Sequence, residues 1–471
     1  MVSPDPECVL RLYTFGSEST RVRHRENPYG RSPRSLSRGF CMRRGAVAVA
    51  ALALGFVILA VSLSTAVAPR SSFSAPVLIG FRLGDDWEPD VAADGKGNVY
   101  VAWAHYGDVV GCDSCPSPIA MIQVSRDGGR AFGAPKPLNP VPASYQIDLQ
   151  VAVNGAGSVF VAYLQDKDTI VQRSDDFGET WNAAVPANVD IKESWTDKVG
   201  LAVQGERVYV SFSIAQRYYV SVSADGGRSF TTVQLNSRSK DTGWTLTSGG
   251  VVDSKGNVYF SWVGIHKSGN ALGPQEVFLT KSTDAGRTWS FITLAEDLPP
   301  GPDCSDFSCG WDFWGPQMVV SVDAADNVYV AYNAGVVDRG PPFVWFQAST
   351  DGGRTWTARS TVHADGESEA FHLFPAIEGG SRNQVHVSWM DNRLGRFNVY
   401  YRTSADRGAT WSTETILNAD FGFRYQSADG FEFTYGDYYG IARDSRGGIH
   451  VAWGEGPDYA GPGNVFYATT S

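Results

Sequence analysis

The chain has 471 residues, of which 39 are basic and 50 acidic, so its formal charge is -11. This excess of acid disfavours nucleic acid, anionic lipid and polyanionic substrates as partners, unless a pocket is locally positive. The length leaves the number of domains open, because closed repeat folds often exceed the usual domain size.

The first 68 residues differ in composition from the rest of the chain. Residues 1–44 contain nine arginines and four acidic residues without a hydrophobic period. They predict a basic disordered leader, or a misassigned start upstream of Met42. Residues 45–68 carry no charge and follow Arg43 and Arg44, which is typical of a secretory signal peptide or a membrane anchor. Both alternatives predict an exported, extracellular protein, either secreted or membrane-anchored through this segment.

The remainder of the chain repeats one strand pattern seven times. The repeated strands are rich in β-branched and aromatic residues, as in VYVAW, and begin at Val99, Val159, Val208, Val258, Val328, Val385 and Ile449. Their starts are 60, 49, 50, 70, 57 and 64 residues apart. Such a period is typical of propellers, solenoids and arrays.

A turn of eight residues, Ser-x-Asp-x-Gly-x-(Thr/Ser/Ala)-(Trp/Phe), accompanies six of these strands. In this octet, Ser and Asp side chains can bond backbone groups across a tight turn, and Gly supplies a positive φ. The six copies are Ser125–Phe132, Ser174–Trp181, Ser223–Phe230, Ser282–Trp289, Ser349–Trp356 and Ser404–Trp411. Their position predicts that each octet joins the third and fourth strands of a unit.

These repeats predict an all-β fold, a seven-bladed β-propeller of four-stranded antiparallel blades, with six blades as the alternative. The seventh unit ends after its third strand, which starts at Asn464. Residues 75–83 precede the first unit and are predicted to supply the missing strand. The predicted propeller domain is therefore 75–471, closed by an N-terminal strand.

Four cysteines lie outside the leader: Cys112, Cys115, Cys304 and Cys309. Export favours two short-range disulfides, with a four-thiolate zinc site as the alternative. No other spacing in the sequence indicates metal ligands, so we predict no metal and no cofactor.

The inner strands are predicted to start around the axis, on the face that carries the longest loops. Aromatic side chains beside carboxylates are suited to binding sugar rings. Candidate substrate-binding residues at these strand starts are Trp87, Glu88, Trp195, Trp244, Trp314 and His372. Candidate carboxylates for glycoside hydrolysis are Asp86, Glu88, Asp197 and Asp437. Alternatively, the aromatic residues fill the axial hole, the aspartates cap loops, and Lys198 is the ion partner of Asp197.

The octet resembles the Asp box, or BNR repeat, of the sialidase superfamily, and the resemblance covers residues 75–471. It implies a propeller enzyme with a Tyr nucleophile paired with a Glu, an Asp acid/base and three arginines that clamp the sugar carboxylate. Tyr438, in YYGIA, resembles the nucleophile, and Arg393, in WMDNR, resembles one clamp arginine. Asp108 or Asp113 stands where the acid/base is expected. Trp87-Glu88-Pro89 stands where the family has its first clamp arginine, so the triad is incomplete.

Two functions are consistent with this pattern. The first is an exported, sialidase-like glycoside hydrolase with Tyr438, Asp437, Asp197 and Asp108 as catalytic residues and Arg393 as a substrate contact. The second is a non-catalytic propeller that binds a polysaccharide or a protein. We predict a glycan or polysaccharide as the main partner, with a protein as the alternative for the binding propeller, no nucleic acid, and a monomer.

Overall fold

The fold is seen in a computed structural model that describes residues 73–470 except 82, 143, 192–195, 215–216, 237–243, 266–274, 298–316, 336, 338–339, 367–368, 419–429 and 459. At 244–248, 265, 275 and 296–297 only the backbone is described. The predicted leader, the apolar segment 45–68, Cys304 and Cys309 therefore lie outside the described residues. No helix in the described part of the chain is long and apolar enough to cross a membrane.

The described strands form seven four-stranded antiparallel sheets. The chain begins with β1 (Val77–Ile79). Blade 1 contains β2 (Asp85–Ala93), β3 (Val99–Tyr106), β4 (Ile119–Ser125) and β5 (Lys136–Pro137). Blade 2 contains β6 (Gln146–Val153), β7 (Val159–Gln165), β8 (Asp168–Ser174) and β9 (Val185–Pro186). Blade 3 contains β10 (Asp197–Gln204), β11 (Arg207–Ile214), β12 (Arg217–Ser223) and β13 (Thr231–Gln234).

The remaining four blades have the same order of strands. Blade 4 contains β14 (Trp244–Val252), β15 (Val258–Ile265), β16 (Gln275–Ser282) and β17 (Ser290–Asp297). Blade 5 contains β18 (Met318–Val322), β19 (Val328–Gly335), β20 (Pro342–Ser349) and β21 (Ser360–Thr361). Blade 6 contains β22 (His372–Gly379), β23 (Val385–Asp391), β24 (Asn398–Ser404) and β25 (Thr415–Ile416). Blade 7 contains β26 (Gly440–Arg443), β27 (Ile449–Glu455), β28 (Asn464–Thr469) and β1.

Blade 7 joins the two ends of the described chain. Strand β1 pairs with β28, with Val77 opposite Tyr467 and Ile79 opposite Val465. An isolated bridge between Phe73 and Thr470 extends this pairing. The all-β, seven-bladed prediction and the closure by an N-terminal strand are confirmed, and the six-bladed alternative is wrong.

The second strand of each blade is buried on both sides because it packs between neighbouring sheets. Every residue of β3 from Val99 to His105 is buried, which is why VYVAW is continuously apolar rather than alternating. The core lies between adjacent blades. Between blades 1 and 2, for example, Ala102 and Ile122 share one cluster with Val151 and Val161.

All six octets form the same hydrogen-bonded turn between the third and fourth strands. In each, the Ser hydroxyl donates to the Asp carboxylate over 2.7–2.9 Å and accepts the Gly N–H over 2.7–2.9 Å. Gly353, with φ +86°, illustrates why the fifth position is Gly. In blade 1 the octet also bonds the β2–β3 turn, through Gly128 N and Gly97 O. The octets and these first turns therefore share one end of the propeller, which we call the octet face. The opposite end, where the inner strands start, is called the mouth.

Replacing Ser349 with Ala should destabilise the propeller by about 1–3 kcal/mol, because the buried N–H of Gly353 then loses its acceptor. Urea unfolding followed by tryptophan fluorescence would measure this loss. The control is Ser445→Ala, whose hydroxyl makes an exposed bond to the Gly95 carbonyl. Equal stability of both variants would contradict a structural role for the octet serine.

Of the two predicted disulfides, the one between Cys112 and Cys115 is present, in the loop between β3 and β4. The four-thiolate zinc alternative needed both of these sulfurs as thiolates, so this pairing excludes it.

Candidate functional site

The inner strands carry β-bulges close to the mouth. The register of β2 on β3 shifts between Trp87 and Asp90, and β6, β10 and β22 shift at the matching place. Each of these bulges holds a non-glycine residue at positive φ: Glu88 (53°), Asp148 (52°), Lys198 (47°) and Phe374 (50°). A bulge changes the direction of its side chain, and strained backbone of this kind is concentrated at functional sites.

Four blades bring charged side chains together around one ammonium group. Lys198 Nζ lies 2.7 Å from Asp437 Oδ2, 3.7 Å from Asp148 Oδ1 and 3.9 Å from Glu88 Oε1. The backbone N–H of Lys198 donates to Asp197 Oδ1 over 3.0 Å. We call Glu88, Asp148, Asp197, Lys198 and Asp437 the axial cluster. Its four carboxyl groups outnumber its one cation.

The segment before β26 brings Asp437 to this cluster. The Glu88 N–H donates to the Tyr435 carbonyl over 3.2 Å, which holds this segment against blade 1. Gly436 approaches Glu88 so closely that a Cβ would lie 2.9 Å from Glu88 Cγ. Its φ of +132° also disfavours any side chain. Gly436 therefore permits the contact between blades 7 and 1.

Burial raises the carboxyl pKa values of three members of the axial cluster, Glu88, Asp197 and Asp437. Burial and the neighbouring Asp148 carboxylate raise the pKa of Glu88 well above its usual range, although Lys198 opposes this. Burial also raises the pKa of Asp197 to about 6 and raises that of Asp437, again against the effect of Lys198. Burial alone would lower the pKa of Lys198, but the surrounding carboxylates outweigh burial and raise it well above normal.

Tyr438 lies beside the axial cluster. Its ring is 5.7 Å from Lys198 Nζ, and its hydroxyl donates to the Leu149 carbonyl over 3.3 Å. Burial and the nearby carboxylates raise the pKa of this phenol well above its usual value. In the described part of the chain, the hydroxyl thus bonds a backbone carbonyl and not the Glu that the sialidase resemblance implies.

Trp87 lies next to Glu88 but packs among other aromatic residues. Its ring centroid is 4.8 Å from that of Tyr435, 5.9 Å from that of Tyr106 and 6.1 Å from that of Phe433. The side chain is partly buried. A substrate contact of Trp87 stays a prediction.

The structure places Arg393 toward the outer strands of blade 6. Its guanidinium bonds Asp391 and Glu414 and lies 4.4 Å from the Tyr400 ring. Tyr400 is on the third strand, β24, and Glu414 directly precedes the outermost strand, β25. The guanidinium is therefore already ion-paired with carboxylates of the protein itself. Its role as a substrate clamp stays a prediction.

His372 is fully buried at the start of β22, where it contacts Asp365 and Asp391. The bulge residue of that strand is Phe374, two positions later. Asp108 is exposed in the β3–β4 loop. Trp195, Trp314 and the side chain of Trp244 lie outside the described residues. Roles in substrate binding or catalysis stay predictions for these residues.

A cavity of about 320 Å³ runs along the axis below the axial cluster and is lined by the inner strands of all seven blades. Its charged lining residues are Asp90, Glu378 and Arg443. Burial raises the pKa of Asp90 to about 7 and that of Glu378 to about 8, with Arg443 opposing the shift of Glu378. The cavity therefore adds further carboxyl groups with raised pKa values below the mouth.

The sequence analysis did not count Asp148 among the candidate carboxylates and considered Asp197 alone as the ion partner of Lys198. The signal that identifies them is their spacing from the next strand. Glu88 and Asp148 each lie eleven residues before the second strand of their blade, Lys198 lies ten before it, and Tyr438 lies eleven before Ile449. Alignment of the repeats on their second strands would have brought these residues together.

No protein-family model matches this chain, and no curated protein is similar to it. Solved structures resemble this chain in fold at low sequence identity, as three of them illustrate. A protein of unknown function from Dyadobacter fermentans is 16% identical, with a TM-score of 0.49 over 84% of this chain and 97% of its own. The NanB sialidase of Streptococcus pneumoniae is 10% identical, with a TM-score of 0.47 over 85% of this chain and 70% of its own. An ulvan lyase, a polysaccharide lyase, is 12% identical, with a TM-score of 0.40 over 83% of this chain and 80% of its own. At such identities the likeness does not extend to activity or substrate.

Proposed function

We propose that this protein is a carbohydrate-active propeller that hydrolyses glycosidic bonds of neutral sugars at the axial cluster. The observation that supports this function is the set of four carboxyl groups around Lys198, of which those of Asp148 and Asp437 are buried and those of Glu88 and Asp197 are partly buried. A buried carboxylate without a cation destabilises a fold, so such an excess favours a chemical role over a purely structural one.

Glycoside hydrolysis needs one carboxylic acid and one carboxylate on opposite sides of the scissile bond. Glu88 suits the acid, because burial and the Asp148 carboxylate raise its pKa and so favour the protonated form. Asp437 suits the carboxylate, because its contact with Lys198 favours the ionised form. Since both lie near the same ammonium, their carboxyl oxygens are at most about 7 Å apart, a limit that is compatible with the spacing of about 5–5.5 Å in retaining glycosidases. Glu88 would protonate the leaving oxygen while Asp437 activates water or attacks the anomeric carbon.

Neutral sugars fit this site better than sialic acid. An anionic sugar would be repelled by the carboxylates around Tyr438, and phenolate formation is opposed by its raised pKa. Arg393, which resembles a clamp arginine, is already bound to Asp391 and Glu414. The proposal thus keeps the glycan substrate but not the exo-sialidase chemistry that the resemblance implies. We also propose an extracellular location, which the disulfide Cys112–Cys115 supports.

The test is hydrolysis of a panel of fluorogenic neutral glycosides and sialosides by the full-length protein, compared with Glu88→Gln. Removal of a general acid should lower kcat about 100-fold to 10,000-fold. The matched control is Glu179→Gln, because Glu179 is exposed and pairs with Arg126 and Lys136. Its activity should equal that of the wild type.

Hydrolysis of sialosides alone would contradict the proposal. If the folded protein cleaves no glycoside of the panel but binds oligosaccharides on a glycan array, the protein is the non-catalytic binding propeller.

A further inference from the structure

A second charged cluster lies between blades 5 and 6, outside the axial cluster. His363 and Asp365 belong to the segment between β21 and β22, and His372 is the first residue of β22. We call these three residues the histidine cluster. His363 and His372 are 3% and 0% exposed. Their rings stack with centroids 3.7 Å apart, and the candidate ligand atoms of all three residues lie within 4.8 Å of one another.

The hydrogen bonds of His372 show which of its nitrogens is available as a ligand. Nδ1 lies 3.2 Å from the Pro342 carbonyl oxygen, which only accepts, so Nδ1 carries a hydrogen and donates. Nε2 lies 3.2 Å from each carboxylate oxygen of Asp365 and 3.3 Å from Asp391 Oδ2. Ionised carboxylates also only accept. An Nε2 lone pair facing three such oxygens requires a shared cation, either a second proton or a metal ion.

Three observations favour a metal ion. The donation from Nδ1 to a backbone carbonyl is the outer contact that metal-binding histidines usually make. The distance of 3.2 Å between His372 Nε2 and the Asp365 carboxylate approaches the separation of about 3.4 Å between two ligands of a tetrahedral Zn²⁺ with bonds of about 2.1 Å. His363 Nδ1 lies at the hydrogen-bond distance of 2.7 Å from Asp365 Oδ1, so this ring also directs a nitrogen at the shared carboxylate, and a bound ion would replace that hydrogen bond.

The charges around the histidine cluster match a divalent cation. Asp365, Asp391 and Glu414 surround one guanidinium, that of Arg393, which leaves two negative charges. Asp391 accepts bonds from Arg393 and from the Trp389 indole, so it suits a supporting contact better than a ligand. Asp365 is 18% exposed at its side chain, which gives an ion a route from solvent.

We propose that His363, Asp365 and His372 bind one Zn²⁺ ion, with water as the fourth ligand. Two imidazoles and one carboxylate with an open position form a ligand set that Zn²⁺ accepts. The ion would tie the link between β21 and β22 to the inner strand of blade 6. This inference is independent of the proposed glycosidase activity.

The experiment is a calorimetric titration of the EDTA-treated, dialysed full-length protein with Zn²⁺, supported by the visible spectrum of the Co²⁺-substituted protein. We expect one Zn²⁺ per chain and the absorption of a tetrahedral Co²⁺ site. Asp365→Asn and His363→Gln should each weaken Zn²⁺ binding at least 100-fold while near-ultraviolet circular dichroism stays unchanged.

Two variants serve as controls. His386→Gln changes another buried histidine, whose Nδ1 bonds the Tyr401 hydroxyl, and Glu88→Gln changes the axial cluster. Both should bind Zn²⁺ as the wild type does. Absence of stoichiometric Zn²⁺ binding to the folded wild type would overturn the proposal and assign a second proton to His372. Loss of binding in Glu88→Gln but not in Asp365→Asn would also overturn it, because the ion would then lie at the axis.

Discussion

Replacing Lys198 with Met should destabilise the propeller by about 3–5 kcal/mol at neutral pH, because it leaves the carboxylates of the axial cluster without their cation. The Lys198 side chain is only 12% exposed, so water cannot replace the lost charge fully. Urea unfolding of the wild type and the variant, measured at several pH values, gives the difference in the free energy of unfolding.

The pH dependence of this loss follows from the raised carboxyl pKa values. A carboxyl whose pKa is higher in the folded state stabilises the fold below its unfolded pKa, and this contribution is lost as pH rises through the folded pKa. For Asp197 the window runs from 3.8 to about 6. Removal of Lys198 raises the folded pKa values of Asp197, Glu88 and Asp437 further. The destabilisation should therefore be smallest near pH 4 and should grow as pH rises through about 6 and beyond.

Two control variants separate charge from packing. Lys198→Arg keeps the charge and should lose much less stability than Lys198→Met. Lys255→Met removes a 70% exposed lysine paired with Asp326 and should change stability by about 0–1 kcal/mol. If Lys198→Met is as stable as the wild type at pH 8, the axial carboxyls are neutral there, and the assignment of Asp437 as the ionised partner fails.

Replacing Trp453 with Ala should cost about 3–5 kcal/mol of stability, because it opens a cavity in the core between blades 6 and 7. Trp453 is fully buried, and its indole N–H donates to Glu455 Oε2 over 2.7 Å. Burial raises the pKa of Glu455 to about 8, and the Trp453 bond opposes this shift. The variant therefore loses both apolar contacts and a donor to a buried carboxyl. Differential scanning calorimetry would record the decrease in Tm.

Trp453→Phe is the matched variant, since it keeps most of the ring but not the N–H, and we expect a loss of about 1–3 kcal/mol. Trp411→Ala changes a partly buried octet tryptophan that packs beside another core cluster and should lose less than Trp453→Ala. If Trp411→Ala were the more damaging of the two, the closure of the ring through blade 7 would not depend on this core.

The fold could be predicted from the sequence because each blade repeats the same local patterns, an apolar second strand and, in six blades, an octet. The second strands could be recognised because packing between two neighbouring sheets demands a continuous apolar run, as from Val99 to Trp103. The octets could be recognised because their Ser and Asp form defined hydrogen bonds and their Gly adopts a positive φ. The missing fourth strand of the last unit then predicted the pairing of β1 with β28.

The candidate site was harder to predict because it depends on contacts between blades. The bulges direct Glu88, Asp148 and Lys198 toward one point. A bulge of this kind cannot be recognised from sequence here, because the residues at positive φ are not glycines. Likewise, the spacing of His363, Asp365 and His372 matches no metal motif. Only the fold of the β21–β22 link brings them together, so our proposal of Zn²⁺ departs from the expectation of no metal.

The pairing of Phe73 with Thr470 also matters for how this protein can be handled. Thr470 follows the third strand of its blade, at the place where Ser125 begins the octet of blade 1. The two ends of the described part of the chain are thus neighbours on the octet face. A variant that starts at Phe73 and joins it to Thr470 through a short linker would leave the mouth open to large polymers and would allow new ends to be cut at an octet.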